Sequence, residues 1–400
     1  MALDMTSFAS ALKQHYTADR VENMVYADNP LLAMIPKMTD FGGKNLPIPI
    51  IYGNPQGTSA TFSTAQGNKT SSKLKDFVLT RNHDYSLASI DNETLEASKG
   101  NANAFMEAAT TEIDGAIQAS ARRLAVALYR NGSGSIGQAN ASVTGTSLQL
   151  KQADDVTNFE VGMQLVFSTA DGGGSVKSGK VAITGVNRDS GLLTVSAMTA
   201  IDGGTGVAAN DYIFQEGDYD QRIKGLQAWL PNSAPSSSAF FSVDRTADVT
   251  RLAGIRYDGS ALPIEEALIS AASRVAREGG KPDHCFMNYS KYADLEKALG
   301  SKVQYVDLKV NAEIAFRGIV INGPRGPIKV VPDQNCPADR AFMLQMDVWK
   351  LYSLGKAPKI LDTDGMKMLR ESSADAVEVR VGYYAQVGCR APGWNATIAL

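Results

Sequence analysis

"NAFMEAATTEIDGAIQASARRLAVALYR", residues 103–130, governs how the rest of the chain is read. Met106, Ile113, Ile117, Leu124 and Leu128 recur on one stripe with alanines between them, the period of a helix with one buried face. At ~1.5 Å per residue this helix is about 40 Å long. Asn131-Gly132 ends it, because glycine accepts the left-handed conformation that closes a helix. A helix of this length needs buttressing along its whole length, and the flanking segments must supply it.

Upstream, residues 42–82 have a different texture. "KNLPIPIIYG" (44–53) is apolar and extended. Pro47 and Pro49 suit an edge strand, since proline has no amide to give to a ladder. "LKDFVLTR" (74–81) alternates like a returning strand, and the tip between the two is polar and full of turn formers. A long two-stranded excursion is expected. It carries Lys44, Lys69, Lys73, Lys75 and Arg81 against Asp76 alone. Before it, Phe8, Leu12 and Tyr16 recur at helical spacing in a partly helical arm, and "ADNPLLAMIPK" (27–37) ends in an extended, proline-broken stretch.

Downstream, residues 143–218 form an island of short strands, among them "GMQLVFS" (162–168), "KVAITGV" (180–186), "LLTVSA" (192–197) and "DYIFQE" (211–216). Short strands with frequent turn signals predict a small barrel or sandwich. Four basic residues against nine acidic ones make the island negative. Within it, "GGGSVKSGKV" (172–181) imitates a nucleotide-binding loop from Gly174 to Lys180. Such a loop needs a following helix, whose amides and dipole hold the phosphates, and a Ser or Thr after the lysine. Val181 stands there and a strand follows. The loop is therefore expected to be an exposed hairpin connection that binds no nucleotide.

Beyond a Pro/Ser-rich bridge, "PNSAPSSSA" (231–239), the pattern is mixed. Ile264, Ala267, Leu268, Ala271, Ala272 and Val275 mark an amphipathic helix opened by Pro263 and closed at Gly279-Gly280. "HCFMN" (284–288) reads as a short buried strand and "YSKYADLEKALG" (289–300) as a second helix. Strands are predicted at "GIVING" (318–323), "IKVVP" (328–332), "RAFMLQM" (340–346) and "AVEVRVGYYAQVGCR" (376–390).

The chemistry-bearing residues do not assemble a site. The only histidines are His15, His83 and His284, in unlike segments. His284-Cys285 are neighbours on a strand, so their side chains point to opposite faces and cannot pair as base and nucleophile. The "DTDG" turn (362–365) lacks the downstream glutamate of a calcium loop. Cys285, Cys336 and Cys389 are far apart, which fits reduced thiols and disfavours a zinc site. No catalytic residue, cofactor or metal is assigned. Arg122 and Arg123 on the long helix are the candidates for facing phosphate, against a simple solvated helix face.

Composition narrows the class further. With 39 basic and 42 acidic residues, no global field recruits nucleic acid or an anionic membrane. No apolar run reaches the roughly 18 residues of a membrane span. "MALDMTSFAS" has no basic stretch and carries Asp4 early, which predicts no signal peptide. A soluble, intracellular product is expected.

The order of segments carries a resemblance. An arm, a long two-stranded excursion, one long helix and then a mixed α/β region resemble the major capsid protein of tailed bacteriophages, the HK97-type fold, an α+β architecture. "NMVYADNPLLAMIPK" looks like its N-terminal arm, and residues 42–82 like its E-loop. The helix at 103–130 looks like its spine helix. "GGKPDHCFMNYSKYADLEKAL" and "IVINGPRGPIKVVPDQNCPADRAFML" resemble its axial domain, and "VRVGYYAQVGCRAPGWNATIAL" its return strand. The resemblance implies an arm at 1–41, an E-loop at 42–82, a peripheral domain at 83–142, an inserted β-barrel at 143–218, a mainly axial region at 219–375 and a C-terminal return strand at 376–400.

What the resemblance implies about function is a shell. The subunit would self-assemble, as hexamers and pentamers, into an icosahedral capsid enclosing double-stranded DNA and undergoing procapsid maturation, without enzymatic activity. Its partners would be copies of itself, a separate scaffolding protein (no coiled coil precedes the arm), a portal protein, non-specifically bound DNA and a decoration protein, with no membrane. It would assemble in the bacterial host cytoplasm and reside in the virion. Lys69, Lys73, Lys75 and Arg81 are the candidate intersubunit contacts, and Arg122, Arg123 and Arg130 the candidate DNA-facing residues. The nearer rival is an encapsulin-like nanocompartment shell. The rival of another class is a β-rich hydrolase or carbohydrate-binding protein built on the island, whose Phe159, Phe167, Tyr212 and Phe214 read as core instead of a binding platform.

Overall fold

The computed structural model describes residues 25–26, 28–93, 102–300, 303–309, 315–362, 369–371 and 374–400. Phe8, Leu12 and Tyr16 of the arm, the side chain of Met106, and residues 363–365 of the DTDG turn lie outside the described residues.

The long helix runs from Ala102 to Tyr129. It buries Ile113, Ile117, Leu124 and Leu128, the stripe read from the sequence, and Gly132 takes a positive φ of 93° just past its end. The surface that receives it is a six-stranded sheet centred on Ala376–Cys389. This strand is buried along most of its length, which explains its nearly unbroken apolar sequence. Asn82–Asp91 pairs antiparallel along it, from Ala376 opposite Asp91 to Ala385 opposite Asn82. Trp349–Ser353 pairs with its other end, and Lys37–Met38 adds a parallel strand beyond. Ile90, Val377, Val379 and Val381 share one core with the helix stripe. Each such side chain contributes about 1.5–3 kcal/mol by leaving water.

The stretch 27–37 ends extended, at Ile35 and the strand Lys37–Met38, after a helix that the sequence reading did not place. Pro30–Met34 is a short helix, because Pro30 stands at the first helical turn, where its missing amide costs nothing. Leu31 and Leu32 pack into the main core.

A seven-stranded mixed sheet forms the second body. Its order is Ile255–Asp258, Ala396–Ala399, Arg340–Leu344, His284–Met287, Gly326–Pro332, Ala315–Gly323 and Tyr305–Lys309. The helix Ile264–Arg277 begins with Glu265 and Glu266 and ends with Arg274 and Arg277, charges that suit its dipole. Its Ala267, Leu268, Ala271, Ala272 and Val275 pack on Cys285, Met287 and Val330. A second helix, Tyr289–Leu299, stops at Gly300.

The island is a third body with a private core of Leu148, Phe159, Leu165, Phe167, Ile183, Leu193 and Ile213. Its six strands run in the order Ser135–Gln138, Tyr212–Gln215, Gln164–Ser168, Val181–Asn187, Leu192–Val195 and Ser147–Gln149. The first and last are joined in turn: Ala139 bridges Leu150, and the Asn140 amide donates to the Gln149 carbonyl at 2.9 Å. The sheet thus closes on itself and begins at Ser135. "SIGQ" is too short and too polar to show a strand period, so the sequence reading began the island only at residue 143. The incoming and outgoing chains lie side by side, with the Asp220 amide donating to the Ser133 carbonyl at 2.7 Å.

Candidate assembly surfaces

The excursion is a hairpin of Asn45–Gly53 and Lys73–Thr80, with a six-residue helix, Phe62–Gly67, at its tip. Strand alternation divides its side chains. Ile48, Ile50, Phe77 and Leu79 are buried in the main core and anchor the base. Towards the tip the apolar residues are uncovered: Ile51 is 62% exposed, its cross-strand partner Leu74 56%, and Phe62 82%. Isolated exposed apolar residues are ordinary on a monomer; three on one projecting element mark a contact surface.

The four basic candidates fall into two pairs. Lys75 Nζ donates to the Asp244 carbonyl at 2.9 Å, and Arg81 donates to the Phe41 carbonyl while lying 4.9 Å from that ring's centre. Both hold the base of the hairpin to its own subunit. Lys69 and Lys73 are exposed near the tip.

Arg122, Arg123 and Arg130 line a cleft of about 730 Å³ between the long helix, the strand Asn82–Asp91 and the closed six-stranded unit. Each meets a carboxylate of its own chain. Arg123 takes Asp84 and Asp218, the latter at 2.8 Å. Arg130 reaches Asp155 at 2.7 Å, with both side chains largely buried. Arg122 reaches Glu160 at 3.1 Å, and its side chain is 33% exposed. Arg222, which the sequence reading did not single out, completes the junction: Nη1 lies 2.8 Å from Asp84 and Nη2 donates to the Arg123 carbonyl at 3.0 Å. Its position just after the island, beside Asp218, is the only signal the sequence holds for that role.

A fully buried carboxylate ties the N-terminal helix to the body. Asp333 Oδ2 accepts from the Tyr129 hydroxyl at 2.8 Å and the Leu31 amide at 3.3 Å, while Oδ1 accepts from the Asn335 amide and its Nδ2. Burial pushes its carboxyl up, partly offset by these donors.

The glycine loop connects two paired strands, and Val181–Asn187 follows it where a phosphate site needs a helix. Lys180 is held by both Glu216 oxygens, at 2.9 and 3.0 Å. The loop is exposed, yet it is not a free tip. The Gly173 amide donates to Asp220 Oδ2 and the Gly174 amide to the Tyr219 hydroxyl, each at 2.9 Å. Gly179 has φ +83°, and a Cβ there would fall 1.9 Å from the Ala200 oxygen. The hairpin connection expected from the sequence is thus exposed and tied to the chain that leaves the closed unit.

Among the described residues, no group of three His, Cys, Asp or Glu side chains is placed to hold a metal ion. Cys285 is fully buried, its thiol pushed up to about 12 by burial, and His284 stacks on Phe286 on the other face of the strand. Phe159, Phe167 and Phe214 are fully buried, which removes the aromatic platform that the carbohydrate-binding reading requires.

Comparison with known proteins places this architecture. Residues 204–367 match the profile of a family described as SU10 major capsid protein. No curated protein matches the chain in sequence. The chain shares its fold with a solved structure described as the cyanophage A-1(L) capsid asymmetric unit, with a TM-score of 0.56 and 12% identity over 93% of each chain. A Mycobacterium phage Ogopogo structure aligns with a TM-score of 0.43 and 10% identity, over 93% of this chain and 92% of that one. A virus-like particle from Pyrococcus furiosus aligns with a TM-score of 0.40 and 8% identity, over 95% and 96%. The family match over residues 204–367 and the capsid fold shared along the chain's length support a tailed-phage major capsid protein of the HK97-type fold.

Proposed function

We propose that copies of this chain, as hexamers and pentamers, close into the icosahedral shell around the double-stranded DNA of a tailed bacteriophage. The observation that carries the reading is the hairpin: its base is fixed in the subunit's own core, while Ile51, Phe62 and Leu74 project with nothing among the described residues to cover them. A neighbour must cover them, and a closed symmetric assembly provides one for every copy. Lys69 and Lys73 belong to the same projecting end and are the intersubunit contacts we favour there; Arg81 steadies the base, and Lys75 holds it through the Asp244 carbonyl while its charge stays without an ion-pair partner among the described residues.

In this reading the chain has no catalytic activity and takes no cofactor. A separate scaffolding protein directs closure, a portal protein joins the shell, and the closed unit at 135–218 offers an outer surface for a decoration protein. Assembly takes place in the host cytoplasm. Of the three arginines considered for DNA, Arg122 fits a phosphate contact best, because its side chain and its partner Glu160 are both accessible. Such contact would be independent of base sequence.

The test is the double substitution Ile51→Asp with Leu74→Asp. Size-exclusion chromatography and negative-stain microscopy should show shells from the unaltered chain and soluble, folded subunits from the variant. Shells of normal yield from the variant would remove the hairpin from the contact.

A further inference from the structure

Four cations gather at the base of the hairpin, and none is salt-bridged to a carboxylate among the described residues. Arg245 lies 4.1 Å and Lys224 5.4 Å from the centre of the Phe240 ring, so that two cations share one aromatic side chain. Lys75 Nζ sits on the Asp244 carbonyl, and Arg256 reaches the carbonyls of Gly254 and Val249. Arg245 is buried and donates to the Ala228 carbonyl at 2.8 Å, with its Nε left without a partner. All are held by backbone oxygens or ring faces, and none has an ion-pair partner among the described residues. Two acids act on them from a distance, Asp220 on Lys224 and Asp244 on Lys75, but their hydrogen bonds go elsewhere: Asp244 accepts from Thr246, and Asp220 accepts from the Gly173 amide.

A buried or half-buried cation without a counter-charge is costly. Burial lowers the pKa of Lys224, Arg245 and Arg256, with Arg245 adding to the effect at Lys224 and Arg256 at Arg245. The backbone beside them is strained as well: Phe241 and Ser242 both take positive φ, 46° and 69°, without being glycine. The recess suits single carboxylate side chains better than a DNA backbone, since three of the cations are half-buried and Arg245 is buried.

The same chain holds the complementary surplus. In the closed unit, Lys177, Lys180 and Arg188 are spent on Asp211, Glu216 and Glu160. Asp189 and Asp202 are exposed and form no ion pair among the described residues.

We propose that the Lys75–Lys224–Arg245–Arg256 surface receives carboxylates from the closed unit of a second copy, with Asp189 and Asp202 as the donors of that charge. The inference rests on the shell reading and adds a specific contact to it. Electrostatic complementarity of this kind fixes which partner and register form.

Carbodiimide cross-linking of particles assembled from mixed isotopically labelled and unlabelled subunits tests it. Mass spectrometry should find mixed-label amide links joining Lys75 or Lys224 to Asp189 or Asp202, in particles and not in free subunits. Lys224→Glu should lower the denaturant concentration at which particles dissociate, and adding Asp189→Lys and Asp202→Lys should restore it. Particles that form normally but give no such links, with Lys224→Glu as stable as the unaltered chain, would overturn the contact and leave the shell reading standing. Absence of particles from the unaltered chain would overturn the shell reading, and this inference with it.

Discussion

The guanidinium of Arg123 meets the carboxylate of Asp84 at two points, with Nε 3.0 Å from one oxygen and Nη2 2.9 Å from the other. Arg222 reaches the same carboxylate, and Asp218 reaches Arg123, so four side chains from three elements close one network. It sits where the closed unit leaves the body and fixes how the unit is mounted on the long helix.

Breaking it should be expensive. Arg123→Ala leaves Asp84, 6% exposed, short of one of its two cations. Because Arg222 still pairs with Asp84, the expected cost is about 1.5–3 kcal/mol of unfolding free energy, the range for losing hydrogen bonds to a charged group. Urea denaturation of the subunit measures it, and a loss under about 1 kcal/mol would mean water replaces the guanidinium.

The same network sets an acid limit. Burial alone would raise the Asp84 carboxyl, but Arg222 and Arg123 together outweigh it and hold it below the usual carboxylate range. A carboxyl lowered on folding stabilises the fold above its unfolded value of about 4 and loses that contribution as pH falls through the folded value. Denaturation followed from about pH 6 to about pH 2 should show this loss below about pH 4. In Asp84→Asn the slope should flatten over that window.

Tyr129→Phe removes one donor from buried Asp333 and nothing else. A loss of about 1–3 kcal/mol is expected, the cost of an unsatisfied buried acceptor. Hydrogen exchange should also quicken at Leu31 and Leu32, because the same carboxylate holds the Leu31 amide.

Two glycines should behave oppositely. Gly115 lies inside the long helix, and a Cβ there would meet nothing within 4 Å. Gly115→Ala should therefore stabilise the isolated subunit by about 0.5–1 kcal/mol. Gly179→Ala would drive Cβ against the Ala200 oxygen at a positive φ, and should lower the melting temperature.

What the sequence revealed follows from range. The long helix was legible because its period repeats over about six turns, from Met106 to Leu128, on an apolar stripe that ends before Asn131-Gly132. The hairpin was legible from alternation in Lys73–Thr80 and the placement of Pro47 and Pro49. The strand Asn82–Asp91 was not. Its inward positions include Asp84, a polar residue at a core position whose partners, Arg123 and Arg222, lie 39 and 138 residues away. The arginines were read as a basic cluster, since a sequence shows charge and hides its long-range partner. The closure of the six-stranded unit was hidden for a similar reason: Ala139 and Leu150 meet through backbone atoms, which leave no side-chain pattern.

The central claim is that this chain builds a closed shell through its projecting hairpin. Cryo-electron microscopy of the concentrated, purified chain tests it most directly. Closed particles of hexameric and pentameric units are predicted, with residues 51–74 of each copy covered by a neighbour. A chain that stays monomeric at high concentration, or particles in which Ile51, Phe62 and Leu74 remain open to solvent, would contradict it.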